Sequence, residues 1–456
     1  MTALRKKEAI LLFLGDIFCF VFSLWLTLSF RYGEIPSREL FLEHISVFSL
    51  LFILWAIVFF IAGLYEKHTL ILRNKIPGII LNAQLVNTAL AVLFFYLVPH
   101  LGITPKTNLF IYLVISFSLI LTWRIYGETF FRARNRQNAI LIGSGKEMKE
   151  LRQEVNNNPR YDLFFISSID LDQVKNIDFK EEVLNRIYNE NVQVIAADFK
   201  NDKVEPILPN LYSLVFSKIR FIDMNKIYED IFDRIPLSLI THSWFLENIS
   251  LAPKMTYDIL KRVMDIVLAS VLAVVSLVFY PFVVIAIKLD DGGAIFSIQE
   301  RVGKNNQPIK IFKFRTMSVA NDGGKWGEKN EIGRVNENKV TKVGAFLRKT
   351  RIDELPQLWN VVFGHISLIG PRPEFAPAVK EYEAQITYYG VRHILNPGLS
   401  GWAQIHHDDH PHHGLAVEQT KDKLSYDLYY LKNRSFVLDI IIALKTIKKL
   451  IMRSGA

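Results

Sequence analysis

Residues 266–287 read IVLASVLAVVSLVFYPFVVIAI, 22 residues without a charge. On length alone this segment can cross a membrane, because the hydrocarbon core takes about 20 apolar residues of helix. If it crosses, everything after residue 288 lies on the far side from residue 260. Two features weaken that reading. Lys261 and Arg262 precede the segment and Lys288 follows it, so the flanks carry no clear charge asymmetry. Pro281 falls inside it, and a proline removes one backbone hydrogen bond and clashes with the carbonyl four residues back. A helix that enters, bends near Tyr280-Pro281 and returns to the same face fits as well as a crossing. The segment alone leaves both topologies open.

Upstream, four apolar runs fill the first 126 residues: 10–30, which holds one acid at Asp16, then 45–65, 76–99 and 107–123. Each is long enough to span, the fourth only just. Arg5, Lys6 and Lys7 precede the first run, Lys67, Arg73 and Lys75 separate the second from the third, and Arg124, Arg132, Arg134 and Arg136 follow the fourth. The two remaining loops hold only Arg31 and Arg38, then Lys106. The positive-inside rule therefore puts the N-terminus and residue 130 onward in the cytoplasm. The basic start MTALRKKEA runs into an apolar stretch too long for a signal peptide, with no small-residue cleavage site. Cys19 is the single cysteine, which excludes an intrachain disulfide. Half of the 456 residues are hydrophobic, mean hydropathy is +0.19 and the formal charge is +9. The excess charge suits anionic lipid or a phosphorylated substrate; a nucleic-acid partner is not expected.

Residues 137–245 change character. NAILIGS reads as a buried strand followed by the helical pattern KEMKELRQEV, and strand-like runs recur at YDLFFIS, VQVIAAD and IRFID. The alternation predicts a Rossmann-like parallel α/β domain. Gly143-Ser144-Gly145 stands where a dinucleotide fingerprint would begin, but Met148 takes the place of its third glycine. A scaffold or regulatory role is expected, without tight NAD binding. Residues 289–456 are mixed, with hairpin signals around Gly292-Gly293 and Gly303. The last stretch, 436–452, is amphipathic, suited either to the membrane interface or to packing on the domain.

Chemistry concentrates in TRIDELPQLWN, residues 350–360. Pro356 suits the first turn of a helix, so a helix is expected from 353–356 to Gly364, with Asp353 and Glu354 at its N-terminus. That end favours anions. One carboxylate there could attack phosphorus and form an acyl-phosphate, and the other could hold Mg²⁺ against a diphosphate. Arg348 and Arg351, with Lys313 and Arg315 of KFRTM, could neutralise phosphates. Taken in isolation the pair is more ordinarily a cap beside a surface acid. In LIGPRPEF, 368–375, Gly370, Pro371 and Pro373 stiffen the chain around Arg372.

The ordered stretches KFRTM, RKTRIDELPQLWNVVFGHISLIGPRPE, NPGLSGWAQ and YDLYYLKNRS closely resemble the bacterial sugar transferases of the polyprenyl-phosphate phosphoglycosyltransferase type, over about 255 to 456. The resemblance implies transfer of a sugar 1-phosphate from a UDP-sugar to undecaprenyl phosphate, giving undecaprenyl-diphosphate-sugar and UMP by a ping-pong route. This would be the first membrane step of exopolysaccharide, capsule or O-antigen synthesis. It implies Asp353 as the nucleophile that becomes phosphosugar-bound and Glu354 as the Mg²⁺ ligand. Arg372 and Lys313 match phosphate-contacting positions, and Asp427 matches the acid of the late YDLYY motif. The family's re-entrant helix has a Ser-Pro break, for which this chain has Tyr280-Pro281. Because UDP-sugars are cytoplasmic, the resemblance also favours a segment 257–288 that returns.

The expected architecture is a membrane α-helical bundle plus α/β. It comprises a four-helix transmembrane region at 1–130, a Rossmann-like domain at 137–245 and a mixed α/β catalytic domain at 255–456 that includes the re-entrant helix. The expected setting is the bacterial inner membrane with the site on its cytoplasmic face, in contact with membrane lipids, as a homodimer. After GWAQ, where many relatives have an asparagine-containing stretch, this chain has IHHDDHPHHG, with His406, His407, His410, His412 and His413. That cluster suits either a metal or a polar loop. Two other functions stay open at this point. Tyr257 and Lys261 have the Tyr-x-x-x-Lys spacing of a nucleotide-sugar epimerase or dehydratase, and a non-enzymatic capsule-assembly protein would need no acidic pair.

Overall fold

A computed structural model describes residues 2–65, 76–98, 106–131, 136–158, 161–172, 187, 189–217, 219–249, 255–318, 340–406 and 417–452. They fall into two compact units. The first comprises 1–143, 148–197 and 206–222; the second comprises 144–147, 198–205 and 223–456.

The first unit begins with α1 (Thr2–Tyr32), α2 (Arg38–Ile61), α3 (Ile76–Leu97) and α4 (Lys106–Phe131). All four are long and apolar enough to cross a membrane, in agreement with the four runs read from sequence. They share a core of Phe20, Leu24, Phe48, Trp55, Phe59, Ile80 and Tyr112. Polar groups inside it are answered by backbone: Trp55 Nε1 donates to Asn87 O at 3.0 Å and Tyr112 OH to Phe20 O at 3.1 Å. The acid noted in the first run is not exposed to lipid. Asp16 of α1 is fully buried against Arg124 of α4, whose Nη1 also donates to Leu64 O at 2.7 Å.

The α/β part holds β1 (Gln137–Gly143), β2 (Leu163–Asp170), β3 (Val194–Ala197) and β4 (Arg220–Asp223) in the order β2-β1-β3-β4. β1 pairs in parallel with both β2 and β3. A central parallel strand is buried on both faces, which is why NAILIG reads as a continuous apolar run. Helix α5 (Gly145–Asn157) buries Met148, Leu151 and Val155. Met148, 2% exposed, thus serves as packing at the position where a dinucleotide site needs a glycine. A short α6 (Leu208–Ser213) precedes β4.

The sequence boundary at 245 falls inside the second unit. Here α7 (Met224–Phe232) and α8 (His242–Asn248) belong with the C-terminal region. Ile235, Leu237, Ile240, Trp244 and Phe245 share a core with Tyr382, Tyr389, Leu424 and Leu428. Lys432 pairs with Glu229 at 2.6 Å, and Trp402 Nε1 donates to Asp233 O at 2.9 Å.

The long uncharged segment is two helices, α9 (Met255–Ser276) and α10 (Tyr280–Asp290), bent by 56° at a three-residue break. The break falls just before Pro281, which lies in the first turn of α10, where its missing N–H is no loss. Tyr280 packs its ring on Phe314 at 4.9 Å. Both arms are fastened to one domain. On α9, Tyr257 OH and Lys261 Nζ donate to Asp439 at 2.9 and 3.1 Å, Arg262 donates to the carbonyls of Val361 and Val362, and Asp265 accepts from Ser367 Oγ and Leu368 N. On α10, Val283 and Ile287 pack with Phe314 and Leu347, and Asp290 accepts from Val343 N at 3.1 Å.

That domain continues with the antiparallel hairpin β5 (Phe296–Val302) and β6 (Pro308–Phe314), turning just after Gly303 as the glycine signal predicted. Then come α11 (Lys342–Thr350), a 3₁₀ turn at Ile352–Glu354, α12 (Gln357–Phe363), β7 (Ser367–Ile369), α13 (Ala376–Gln385) and β8 (Gly398–Ser400), which pairs in parallel with β7. The chain ends with α14 (Trp402–His406), α15 (Val417–Asn433) and α16 (Phe436–Met452). α16 packs Leu438, Ile441 and Ile442 against Ile369, Trp402 and Tyr430, while Val437, Ile440, Ile447 and Leu450 stay exposed. Both roles read from its sequence are therefore structurally open to it.

Candidate active site

The acidic pair does not start the helix. α11 ends at Arg351, which takes the left-handed conformation (φ +57°), and Asp353 and Glu354 lie in the 3₁₀ turn that follows. Pro356 caps α12, two residues beyond Glu354. The sequence placed the pair at the positive end of that helix; in the structure, side-chain cations surround it instead.

Glu354 is the hub. Its Oε1 lies 2.8 Å from Arg372 Nη2, 3.3 Å from Lys313 Nζ and 3.5 Å from Arg351 Nη1. Burial alone would raise its pKa, but Arg372, Lys313 and Arg351 together outweigh burial and hold it well below the usual carboxylate range. Asp353 has the opposite environment. It is 6% exposed, and its Oδ1 is buried without a hydrogen-bond partner. Burial, then the charge of Glu354, push its carboxyl up to about 6. Adjacent acids thus differ in role-defining chemistry: one is a fixed anion, the other a less stabilised carboxylate with a bare oxygen.

Three elements converge on this point: the end of α11 brings Arg351, β6 brings Lys313 and the loop after β7 brings Arg372. β6 delivers Lys313, and Asn360 of α12 fixes that strand by accepting from Phe312 N at 3.0 Å and donating to Lys310 O at 2.7 Å. Arg372 arrives on the loop after β7. That loop touches the NPGLSG segment so closely that a Cβ on Gly398 would lie 2.0 Å from Gly370 N. Only glycine allows such backbone contact.

Of the residues singled out in sequence, Lys313, Arg351, Asp353, Glu354 and Arg372 are brought together. Arg348 lies close enough for its charge to act on Asp353, while its Nε donates to Thr316 Oγ1 at 2.9 Å. Arg315 is directed elsewhere: it pairs with Asp291 at the end of α10 and donates to the carbonyls of Ala294 and Met317. Asp427 is paired with Arg392 at 2.8 Å instead of meeting the acidic pair. The sequence reading missed Arg301 and Arg392. Arg301 stacks on Phe375 and donates to Pro373 O at 3.3 Å. Arg392 donates to Arg372 O at 3.0 Å. No signal short of the tertiary fold marks either one. His406 stacks on Tyr426 at a centroid distance of 5.3 Å and packs tilted by 52° against Trp402 at 4.2 Å. His407, His410, His412 and His413 lie outside the described residues. Tyr257 and Lys261, the pair an epimerase would need, are both engaged with Asp439.

A family model described as bacterial sugar transferase matches residues 256–453. Over 212 residues, 45% of this chain, the protein is 40% identical to 47% of a UDP-N-acetylgalactosamine-undecaprenyl-phosphate N-acetylgalactosaminephosphotransferase of Aeromonas hydrophila. It is 36% identical over 191 residues to a UDP-glucose:undecaprenyl-phosphate glucose-1-phosphate transferase of Escherichia coli K12, covering 42% of this chain and 40% of that protein. The chain thus matches about half or less of the length of these two relatives. It is also 35% identical over 202 residues, 43% of this chain, to 90% of an uncharacterized sugar transferase of Bacillus subtilis. Every residue around Glu354 lies inside the matched region, and the chain belongs to the bacterial sugar transferase family.

Proposed function

We propose that the protein transfers a sugar 1-phosphate from a UDP-sugar to undecaprenyl phosphate through a covalent intermediate on Asp353. The carrying observation is the contrast within the acidic pair: Asp353 has a buried oxygen without a partner, next to a Glu354 held anionic by three cations. The Asp353 carboxylate attacks the sugar-bearing phosphorus of the donor. The bond from that phosphorus to the bridging oxygen breaks, and its electron pair leaves with UMP. An oxygen of undecaprenyl phosphate then attacks the same phosphorus, the Asp353–phosphorus bond breaks, and the free carboxylate is restored. Arg372, Lys313 and Arg351 orient the diphosphate and offset its charge. Arg348 favours the ionised form of Asp353.

Mg²⁺ fits the chemistry of this pair, since hard cations take carboxylate oxygens and the charge of Glu354 acts on the adjacent Asp353 carboxyl. Glu354 would hold it, leaving Asp353 as the nucleophile, and when bound it would supply further positive charge to the diphosphate.

The setting follows from the same reading. Both arms of the bent pair α9–α10 are fastened to one domain, and their outward residues Val271, Val274, Val278 and Phe282 are exposed and apolar. A re-entrant hairpin accommodates both facts: it buries the apolar faces and keeps the domain on one side. That side is the cytoplasmic face of a bacterial inner membrane, where UDP-sugars are available. The reaction would open a cell-surface polysaccharide pathway.

Trapping tests the reaction. With a panel of radiolabelled UDP-sugars, the wild type is expected to retain label and release UMP, while Asp353→Asn does neither. Label retained on Asp353→Asn refutes the intermediate.

A further inference from the structure

All four carbonyls of the Pro371–Glu374 stretch are bonded. Gly398 N donates to Pro371 O at 2.8 Å and Val302 N to Glu374 O at 2.9 Å. Guanidinium groups serve the two between them: Arg392 Nη2 reaches Arg372 O at 3.0 Å and Arg301 Nη1 reaches Pro373 O at 3.3 Å. Pro371 and Pro373 have fixed φ angles and no N–H to satisfy. The backbone around Arg372 therefore has little freedom left.

Arg392 is the deeper of the two clamps, at 4% exposure. Its Nη1 donates to Tyr389 OH at 2.7 Å and lies 3.9 Å from Glu374. Its Nη2 lies 2.8 Å from Asp427, itself 1% exposed on α15. A buried guanidinium needs a partner for its charge, and the Asp427 carboxylate supplies it as an ion pair. Among the described residues, neither Arg392 nor Asp427 bonds Asp353 or Glu354. What links the pair to the site is the bond from Arg392 to the main-chain oxygen of residue 372.

We propose that Arg392 and Asp427 are positioning residues for Arg372: the buried pair holds the Arg372 carbonyl so that its guanidinium arrives at Glu354 and at the phosphates bound there. Asp427 then acts through Arg392 without touching substrate. The effect on turnover rests on the reaction proposed above; the effect on the loop does not.

The test uses the full-length protein with Asp427→Asn and Arg392→Lys, each alone and combined with Arg372→Ala. In the native background, losing the buried ion pair, or the guanidinium bond to Arg372 O, is expected to lower UMP release about tenfold. With Arg372 already removed, the same changes are expected to cost less than about twofold, because sites acting through one group are not additive. An equal loss in both backgrounds would mean a general structural role and overturns the proposal. Hydrogen exchange of the 368–376 peptide supplies a readout without substrate. It is expected to quicken in both variants while exchange in α1–α4 stays unchanged. Unaltered exchange at 368–376 overturns the clamp, even if the protein turns over no UDP-sugar and the proposed reaction fails separately.

Discussion

Neighbouring carboxylates should respond to neutralisation with opposite signs of stability. Asp353 has its carboxyl raised to about 6 from an ordinary 3.8, chiefly by burial. A folded-state pKa above the unfolded value means that the folded protein loses stability as pH rises from 3.8 to about 6, and keeps that deficit above it. At about 1.36 kcal/mol per pH unit, the deficit is at most about 3 kcal/mol at pH 7.5 and about 1 kcal/mol at pH 4.5. Asp353→Asn removes the charge without changing the shape. In EDTA at pH 7.5 it should raise the melting temperature of the catalytic unit, by about 2–4 °C per kcal/mol recovered. The gain should shrink by about two thirds at pH 4.5. Glu354 runs the other way. Its folded pKa is depressed by Arg372, Lys313 and Arg351 against the effect of burial, so its charge stabilises the fold above its ordinary pKa of 4.5. Glu354→Gln should therefore lower the melting temperature at pH 7.5, with the loss diminishing as pH falls through and below 4.5. Scanning fluorimetry of the two variants, read at both pH values, gives four numbers. A melting temperature for Asp353→Asn equal to or below wild type at pH 7.5 would refute the account of strain at this carboxylate.

Two further changes test the frame around the site. Gly398→Ala puts a methyl 2.0 Å from Gly370 N, so the loop carrying Arg372 must shift; turnover should fall at least about tenfold, and a variant within twofold of wild type contradicts that tight contact. Pro281→Leu removes the helix-breaking residue from an uncharged stretch of 22 residues, about 33 Å as a straight helix; labelling of a cysteine at position 304, in a Cys19→Ser background, should show part of the population exposed outside the cell. Wild-type labelling from outside would overturn the re-entrant arrangement itself.

Much of this architecture is legible in one dimension because its signals are local. Apolar runs long enough to span need no partner to be recognised, and the buried centre of β1 announces itself as AILI. The acidic pair, Lys313 and Arg372 stand out through the resemblance, whose motifs are each only a few residues long. The misreadings come from backbone geometry and from distant pairing. Arg351 in a left-handed conformation separates α11 from the acidic pair, and a non-glycine residue gives little warning of that. Arg315 stands two residues from Lys313 and would share its face on a continuing strand. But β6 stops at Phe314, and the chain turns Arg315 toward Asp291. Asp427 finds Arg392 across 35 residues, a partnership that only the packing of α15 creates.

The ion pair between α1 and α4 has a consequence for how the protein is made. Membrane helices leave the ribosome in order, and Asp16 emerges 108 residues ahead of Arg124. At about 5–20 residues per second, the acid spends roughly 5–20 s in or beside the translocon before its counter-ion exists. An aspartate at the centre of a helix opposes release into lipid by about 2.5–3.5 kcal/mol on insertion scales, and Asp16, toward the start of the span Ile10–Tyr32, meets part of that cost. On that scale α1 should settle late, with the bundle expected to close once its fourth helix supplies Arg124. A nascent chain broken between α3 and α4 displays an unneutralised acid in the bilayer, a mark by which membrane quality control can separate fragments from finished protein.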